Sequence, residues 1–92
     1  MADVVITLNI MPESPDINLD EVKGKALEII TNFSGNDNTK VEIEPVAFGL
    51  KALKIMFVSD EDKGSTEDIE ADIEKIDGVN SVEVTDVRRT LG

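Results

Sequence analysis

Apolar and polar side chains alternate along residues 4–11, and this two-residue period predicts a β-strand. Pro12 and Pro15 are expected to end it, because proline has no N–H to donate to a neighbouring strand. Pro45 is expected near the end of an edge strand for the same reason. The two-residue period returns later in the chain and predicts strands over residues 39–44, 50–58 and 79–87.

A different period, of three to four residues, predicts an α-helix over residues 18–33. Asn18 is a favourable N-cap, and Glu21 stands in the capping-box position three residues later. Gly24 is expected to weaken this helix by ~1 kcal/mol relative to alanine. Its apolar stripe is predicted to be Val22, Ala26, Ile29 and Phe33, flanked by Leu19 and Ile30.

A second helix is predicted from Ser65, as its N-cap, to about residue 77. Acidic residues in its first turn suit the helix dipole, and Gly78 fits the position just beyond a helix end. Its apolar stripe is predicted to be Ile69, Ile73 and Ile76.

The predicted order is strand, helix, strand, then strand, helix, strand, in one domain spanning residues 1–92. Because each helix has one apolar stripe, both can cover the same face of a sheet. Right-handed crossovers then give an α+β fold of the ferredoxin-like βαββαβ type, with a four-stranded antiparallel sheet. The uncovered sheet face is predicted to carry Val5, Thr7, Asn9, Ala52, Lys54, Met56, Val58, Ser81, Glu83 and Thr85.

The charge balance bears on the partners of this domain. The chain has 20 acidic and 9 basic residues, a net charge of −11, so it should repel nucleic acids and anionic membranes. The same charge favours encounter with a basic protein surface, although it would also serve solubility alone. We find no signal peptide and no apolar run long enough to span a bilayer, so a cytoplasmic location is expected.

The residue types present argue against catalysis by this chain. It has no cysteine and no histidine, which excludes thiol nucleophiles, serine–histidine triads and cysteine-ligated metals. The acidic run Asp60-Glu61-Asp62 lacks the spacing of a calcium loop and is interpreted as a solvated turn. No glycine-rich phosphate loop is present. We therefore expect a protein that is not an enzyme and holds neither cofactor nor metal.

Two features stand out against this background. Phe48 falls in a predicted loop beside Gly49, where it either folds back to seal the core or is exposed to a partner. Arg88 and Arg89, the two arginines of the chain, follow the last predicted inward valine. They are either a solvated basic tail or a cationic probe offered to an anionic site on a partner.

The chain resembles the elongation factor 1-beta family in its short archaeal form. The matching segments are MPESPDINL at 11–19, EIEPVAFGLKALKI at 42–55 and DGVNSVEVTDVRR at 77–89. The resemblance implies the ferredoxin-like fold and a guanine nucleotide exchange factor acting on the GTPase elongation factor 1-alpha. It also implies a minimal exchange domain without the N-terminal extension of eukaryotic members.

The resemblance assigns site residues as well. The loop phenylalanine of the family matches Phe48, with Gly49 and Lys51 beside it, and a basic residue near the C-terminus matches Arg89, with Arg88 adjacent. In the family that basic residue is directed at the Mg²⁺ site of the GTPase and is a lysine in eukaryotic members. Arginine is a wider, planar cation, so the substitution is not neutral.

Two alternatives to the exchange factor are open on the sequence. The first is a small-molecule-binding regulatory domain of the same fold, which would bind amino acids without affecting any GTPase. The second is an adaptor that uses its open sheet face, in which Met56→Lys would abolish binding and changes at Phe48 would not.

Overall fold

The computed structural model describes residues 3–35, 38–60 and 66–90. Within these ranges lie four strands, two α-helices and a short 3₁₀ turn at Ala47–Gly49. The elements are β1 (Asp3–Pro12), α1 (Leu19–Ser34), β2 (Thr39–Pro45), β3 (Lys51–Asp60), α2 (Glu67–Glu74) and β4 (Val79–Thr90).

The strands form one sheet in the order β2-β3-β1-β4, with every neighbouring pair antiparallel. This confirms the predicted α+β, ferredoxin-like fold. The two central strands, β1 and β3, align Ile6 with Phe57 and Ile10 with Leu53. Strand β2 is an edge strand that ends at Pro45, as predicted. At this position the missing N–H of proline does not interrupt the hydrogen bonds between strands.

Both helices pack on the same face of the sheet, and the core lies between the two layers. Phe57 of β3 is 1% exposed and meets Phe33 of α1 edge to face, with ring centroids 6.4 Å apart. Aliphatic side chains fill the rest of the core, as the low aromatic content requires. The buried members are Ile6, Leu8, Ile10, Val22, Ala26, Ile30, Leu53, Ile55, Phe57, Ile69, Ile73 and Val79.

Helix α1 begins as predicted, but its buried stripe is rotated. The Asn18 side chain accepts hydrogen bonds from the backbone N–H groups of Asp20 and Glu21, at 3.0 and 3.4 Å. The predicted stripe was wrong in part, because Ile29 and Phe33 are only half-buried. The fully buried apolar residues recur at intervals of four, the spacing at which side chains of a helix stack on one face, and they are Val22, Ala26 and Ile30.

Helix α2 is shorter than predicted. The predicted cap Ser65 and most of the acidic run, Glu61 and Asp62, lie outside the described residues; Thr66 is the N-cap residue instead. The helix stops at Glu74, because the Lys75 N–H is shared between two carbonyls and the backbone tightens to three-residue hydrogen bonds. Gly78 is therefore not the residue that ends the helix. It forms the turn into β4 with a φ of 94°.

Candidate functional site

Phe48 lies at the tip of the hairpin that joins β2 to β3. The hairpin is closed by a hydrogen bond from the Val46 N–H to the Leu50 carbonyl, at 2.8 Å. Within the closure, Phe48 and Gly49 both adopt left-handed conformations, with φ values of 64° and 75°. The Phe48 side chain is 93% exposed, so it does not fold back to seal the core.

The backbone of Phe48 is strained as well as exposed. Among the described residues it is the one non-glycine residue with a positive φ. The left-handed conformation costs an L-residue roughly 1–2 kcal/mol, and the exposed ring recovers none of this through burial. Such outliers concentrate at ligand clamps and binding loops, which makes this turn a candidate for function.

Phe48 is one of three exposed large apolar side chains on this hairpin. Ile43 and Val46, on the same hairpin, are 49% and 39% exposed. We refer to Ile43, Val46 and Phe48 as the hairpin patch. Lys51 begins β3 beside it and is also exposed. The predicted residues Phe48, Gly49 and Lys51 are thus brought together at one end of the molecule.

A groove of about 350 Å³ adjoins the hairpin patch. Its walls come from three parts of the chain: the end of β1 with the loop that follows, the first turn of α1, and the β2–β3 hairpin. The sequence interpretation missed this groove, since no local pattern brings these segments together. The lining residues are Pro12, Ser14, Pro15, Ile17, Asn18, Leu19, Asp20, Ile43, Gly49 and Lys51.

The two arginines lie inside β4, which runs to Thr90 and not only to residue 87 as predicted. A β-bulge interrupts the strand, because Thr7 pairs with Asp86 whereas Leu8 pairs with Val84. Thr85 is the extra residue. The bulge reverses the alternation of side chains beyond it.

Adjacent residues of a strand point to opposite faces of the sheet, and the bulge determines which face each arginine takes. Arg88 pairs with Val5 on the open face, and Arg89 pairs with Val4 on the face that carries the helices. Arg88 Nε lies 2.9 Å from Oδ2 of Asp86, so its charge is partly balanced. Arg88 and Arg89 are therefore adjacent in sequence but lie on different surfaces of the domain. A partner that binds one face would contact only one of them directly.

The sheet separates the arginines from the hairpin patch. Lys51 stands beside the Pro12 end of β1, whereas Arg89 pairs with Val4 near the other end. At ~3.3 Å per residue along the strand, the two parts of the predicted site lie ~26 Å apart. The structure thus resolves the predicted set into two surfaces at opposite ends of one sheet.

The open sheet face carries a mixture of polar and apolar side chains, as predicted. Thr7 and Ala52 lie in its middle and are only 4% and 1% exposed. Two ion pairs lie on this face: Lys40 with Glu42 at 3.6 Å, and Lys54 with Glu44 at 3.3 Å. The face therefore presents these ion pairs beside a small apolar area at Val5, Met56 and Val58.

The described residues lack two features that are common in metal sites and buried polar-ligand sites. They contain no cluster of three or more acidic side chains placed to bind a metal ion. They also contain no buried side-chain nitrogen or oxygen without a hydrogen-bond partner. No helix in these ranges is long and apolar enough to cross a membrane.

Comparison with known proteins identifies the family. Residues 5–90 match the model of the EF-1 guanine nucleotide exchange domain. The chain is 45% identical to elongation factor 1-beta of Methanothermobacter thermautotrophicus and 43% identical to that of Methanobrevibacter smithii. Each alignment covers 99% of this chain and 100% of the relative.

A third relative and a designed protein complete the comparison. Elongation factor 1-beta of Staphylothermus marinus is 39% identical, over 97% of this chain and 98% of that protein. A de novo designed protein, Foldit4, superposes with a TM-score of 0.61 over 98% of both chains at 21% identity, which supports the fold alone. The chain belongs to the elongation factor 1-beta family, and it carries that family's guanine nucleotide exchange domain.

Proposed function

We propose that this chain is a guanine nucleotide exchange factor that accelerates GDP release from elongation factor 1-alpha. The observation that carries the proposal is the strained, 93% exposed Phe48, in a chain that matches an exchange domain over residues 5–90. A phenylalanine held in solvent at a cost in backbone energy is explained by a partner that buries it.

The hairpin patch supplies binding energy and Arg89 acts on the GTPase's metal site. GDP and Mg²⁺ stabilise each other in the GTPase, so a cation brought near the metal raises the cost of retaining it. GDP then leaves faster. The factor contributes no acid, base or nucleophile, which suits a chain without histidine or cysteine.

Exchange also requires a difference in affinity. The factor must bind the nucleotide-free state of the GTPase more tightly than the GDP-bound state, because a partner with equal affinity for both shifts nothing. Two contact surfaces at opposite ends of a rigid sheet provide a way to sense such a difference. The GTPase conformation that meets both surfaces at once is the one stabilised.

The test is release of fluorescent GDP from purified elongation factor 1-alpha, measured against the concentration of this protein. We expect catalytic amounts to accelerate release. Phe48→Ala should reduce the acceleration by about tenfold or more, since truncating an aromatic anchor at an interface commonly costs ~2 kcal/mol. Flat release rates at every dose of the unmodified protein would reject the proposal.

Substituting each arginine separately shows which of the two contributes to nucleotide exchange. Arg89→Ala should slow exchange, while Arg88→Ala, on the opposite face of the sheet, should slow it less. Met56→Lys on the open sheet face serves as a further control. If only Met56→Lys abolished binding, the adaptor interpretation would replace the exchange site described here.

A further inference from the structure

The groove beside the hairpin patch has one apolar wall, and its other lining residues are mostly polar: Ser14, Asn18, Asp20 and Lys51. Its apolar wall comes from two prolines and from Ile17, Leu19 and Ile43. Asp20 and Lys51 stand at its edge, and both are exposed. Its volume of about 350 Å³ falls near the lower end of the roughly 300–1,000 Å³ range in which proteins bind small ligands or anchoring side chains.

The groove is already formed without an occupant. Pro12 and Pro15 restrict one wall, and the Glu13 N–H donates to the Gly78 carbonyl at 2.8 Å, which ties that wall to the turn before β4. The Ile17 N–H donates to the Ser14 carbonyl and closes the loop. A preformed site loses little conformational entropy when it is filled, so less of the contact energy is offset by ordering.

The chemistry of the lining selects the kind of occupant. A small polar metabolite needs convergent, oriented donors and acceptors, and none of the buried side-chain polar atoms in the described ranges lacks a partner. Asn18 lines the groove, but its side-chain oxygen already accepts two N–H groups of α1. Among the described residues, the groove therefore has no set of buried, unpaired polar groups to fix a small polar ligand, whereas its apolar wall offers a contact surface to an apolar side chain.

The charges around the groove indicate which residues should flank that apolar side chain in the partner. Glu13, Asp16 and Asp20 are exposed in the segment that forms one wall, against the single cation Lys51 in the lining. The whole chain carries a net charge of −11. An apolar side chain with basic neighbours would match both the lining and the rim.

We propose that this groove receives an apolar side chain, flanked by basic residues, from elongation factor 1-alpha. This inference rests on the proposed function and adds a second element to the same contact. Phe48 projects outward into the partner, while the groove next to it accepts a projection from the partner. Ile43 belongs to the hairpin patch and also lines the groove. One partner protein could therefore cover both the patch and the groove.

The first test fills the groove. Ser14→Tyr places a large ring at the groove wall, in a loop residue that is only half-buried. Binding is measured to elongation factor 1-alpha from which EDTA has removed the nucleotide. We expect the Kd of the Ser14→Tyr variant to be about tenfold higher than that of the unmodified protein, a loss of ~1.4 kcal/mol in binding free energy. The matched control, Ser81→Tyr, alters an exposed serine on the open sheet face and should leave the Kd unchanged.

The second test changes the rim without filling the groove. Asp20→Lys should lower the association rate constant with the same GTPase more than Glu28→Lys does. Both residues are exposed on α1 and both changes alter the net charge equally, but only Asp20 lines the groove. Circular dichroism and thermal unfolding of each variant establish that it is folded before binding is compared.

The outcomes separate this inference from the proposed function. If the unmodified protein accelerates GDP release, and Ser14→Tyr and Asp20→Lys match their controls, the groove assignment is overturned and the function stands. If the unmodified protein has no effect on GDP release, both fail. If free amino acids perturb the groove's NMR signals and Ser14→Tyr abolishes that effect alone, a small-molecule site replaces the proposal.

Discussion

At the scale of single residues, Phe48 and Phe57 are a natural pair because their surroundings are opposite. Phe48 is 93% exposed with a left-handed backbone, and Phe57 is 1% exposed in the centre of β3. Phe48→Gly should change the free energy of unfolding by less than ~1 kcal/mol, since relief of strain offsets the greater entropy of the unfolded chain. Phe57→Ala should cost ~3–5 kcal/mol.

Urea unfolding monitored by circular dichroism measures both values. A large loss of stability in Phe48→Gly would mean that the ring packs against the domain in solution. The binding role assigned to the hairpin patch would then lose its structural basis, whatever the variant did to exchange.

Two glycines offer a second contrast under the same substitution. Gly24 is exposed within α1, and an added methyl group would meet nothing within 4 Å, so Gly24→Ala should stabilise the domain by ~1 kcal/mol. At Gly78 the φ is 94° and an added Cβ would lie 2.8 Å from Cγ2 of Ile17. Gly78→Ala should therefore cost ~2 kcal/mol or more.

Thermal unfolding midpoints of the two alanine variants should move in opposite directions. Midpoints that shifted together would show that the turn before β4 is free to rearrange. That result would also weaken the case for a preformed groove, because the Gly78 carbonyl holds one groove wall.

At the scale of elements, β4 shows how a small irregularity changes which residues can act together. Val82 and Val84 are separated by two positions, but the next valine, Val87, comes three positions later. That break in the period is the sequence signature of the bulge at Thr85, and the interpretation of a regular strand overlooked it. The faces of Arg88 and Arg89 depend on it.

Deleting Thr85 tests this account of β4. The deletion removes the extra residue of this bulge and restores alternation from Val82 to Arg89, so Val84 should still pair with Leu8 and Asp86 with Thr7. Cross-strand NMR contacts should persist, and the domain should remain folded. Deleting Glu83 instead should destabilise it strongly, because Val82 would then turn from the core to the open face.

Strands and helices were largely predictable, and their ends were less so. Alternation located all four strands within about three residues, because one face of the sheet is buried and imposes the period. The end of α2 was missed because Ile76 continues the apolar stripe beyond the last helical residue and is still packed against the core. Ile76 is partly buried because it packs against the core, although it lies beyond the end of α2.

The candidate site was predictable only in its residue types. Phe48 stood out as a large apolar side chain in a loop, but nothing local distinguishes a ring that returns to the core from one that remains in solvent. The groove and the separation of Phe48 from Arg89 depend on strand order and on the bulge. Those are properties of pairing between distant segments.

At the scale of the whole molecule, the net charge of −11 predicts the salt dependence of the exchange reaction. Association with a basic GTPase surface should slow severalfold between about 0.05 M and about 0.5 M KCl, as the Debye length falls from ~14 to ~4 Å. Stopped-flow fluorescence gives the rate constant, and GDP release by the GTPase alone is the control. A rate that is independent of salt would assign the acidic surface to solubility.

The spacing between the hairpin patch and the arginines has a mechanical consequence. A four-stranded sheet is stiff along its strands, so the ~26 Å between its ends behaves as a fixed span. Under the proposed function, a GTPase bound at both ends would have to present its two receiving surfaces at that separation. A conformational change of the GTPase that alters the distance between those surfaces would break one of the two contacts. The exchange factor would then dissociate without a separate release signal.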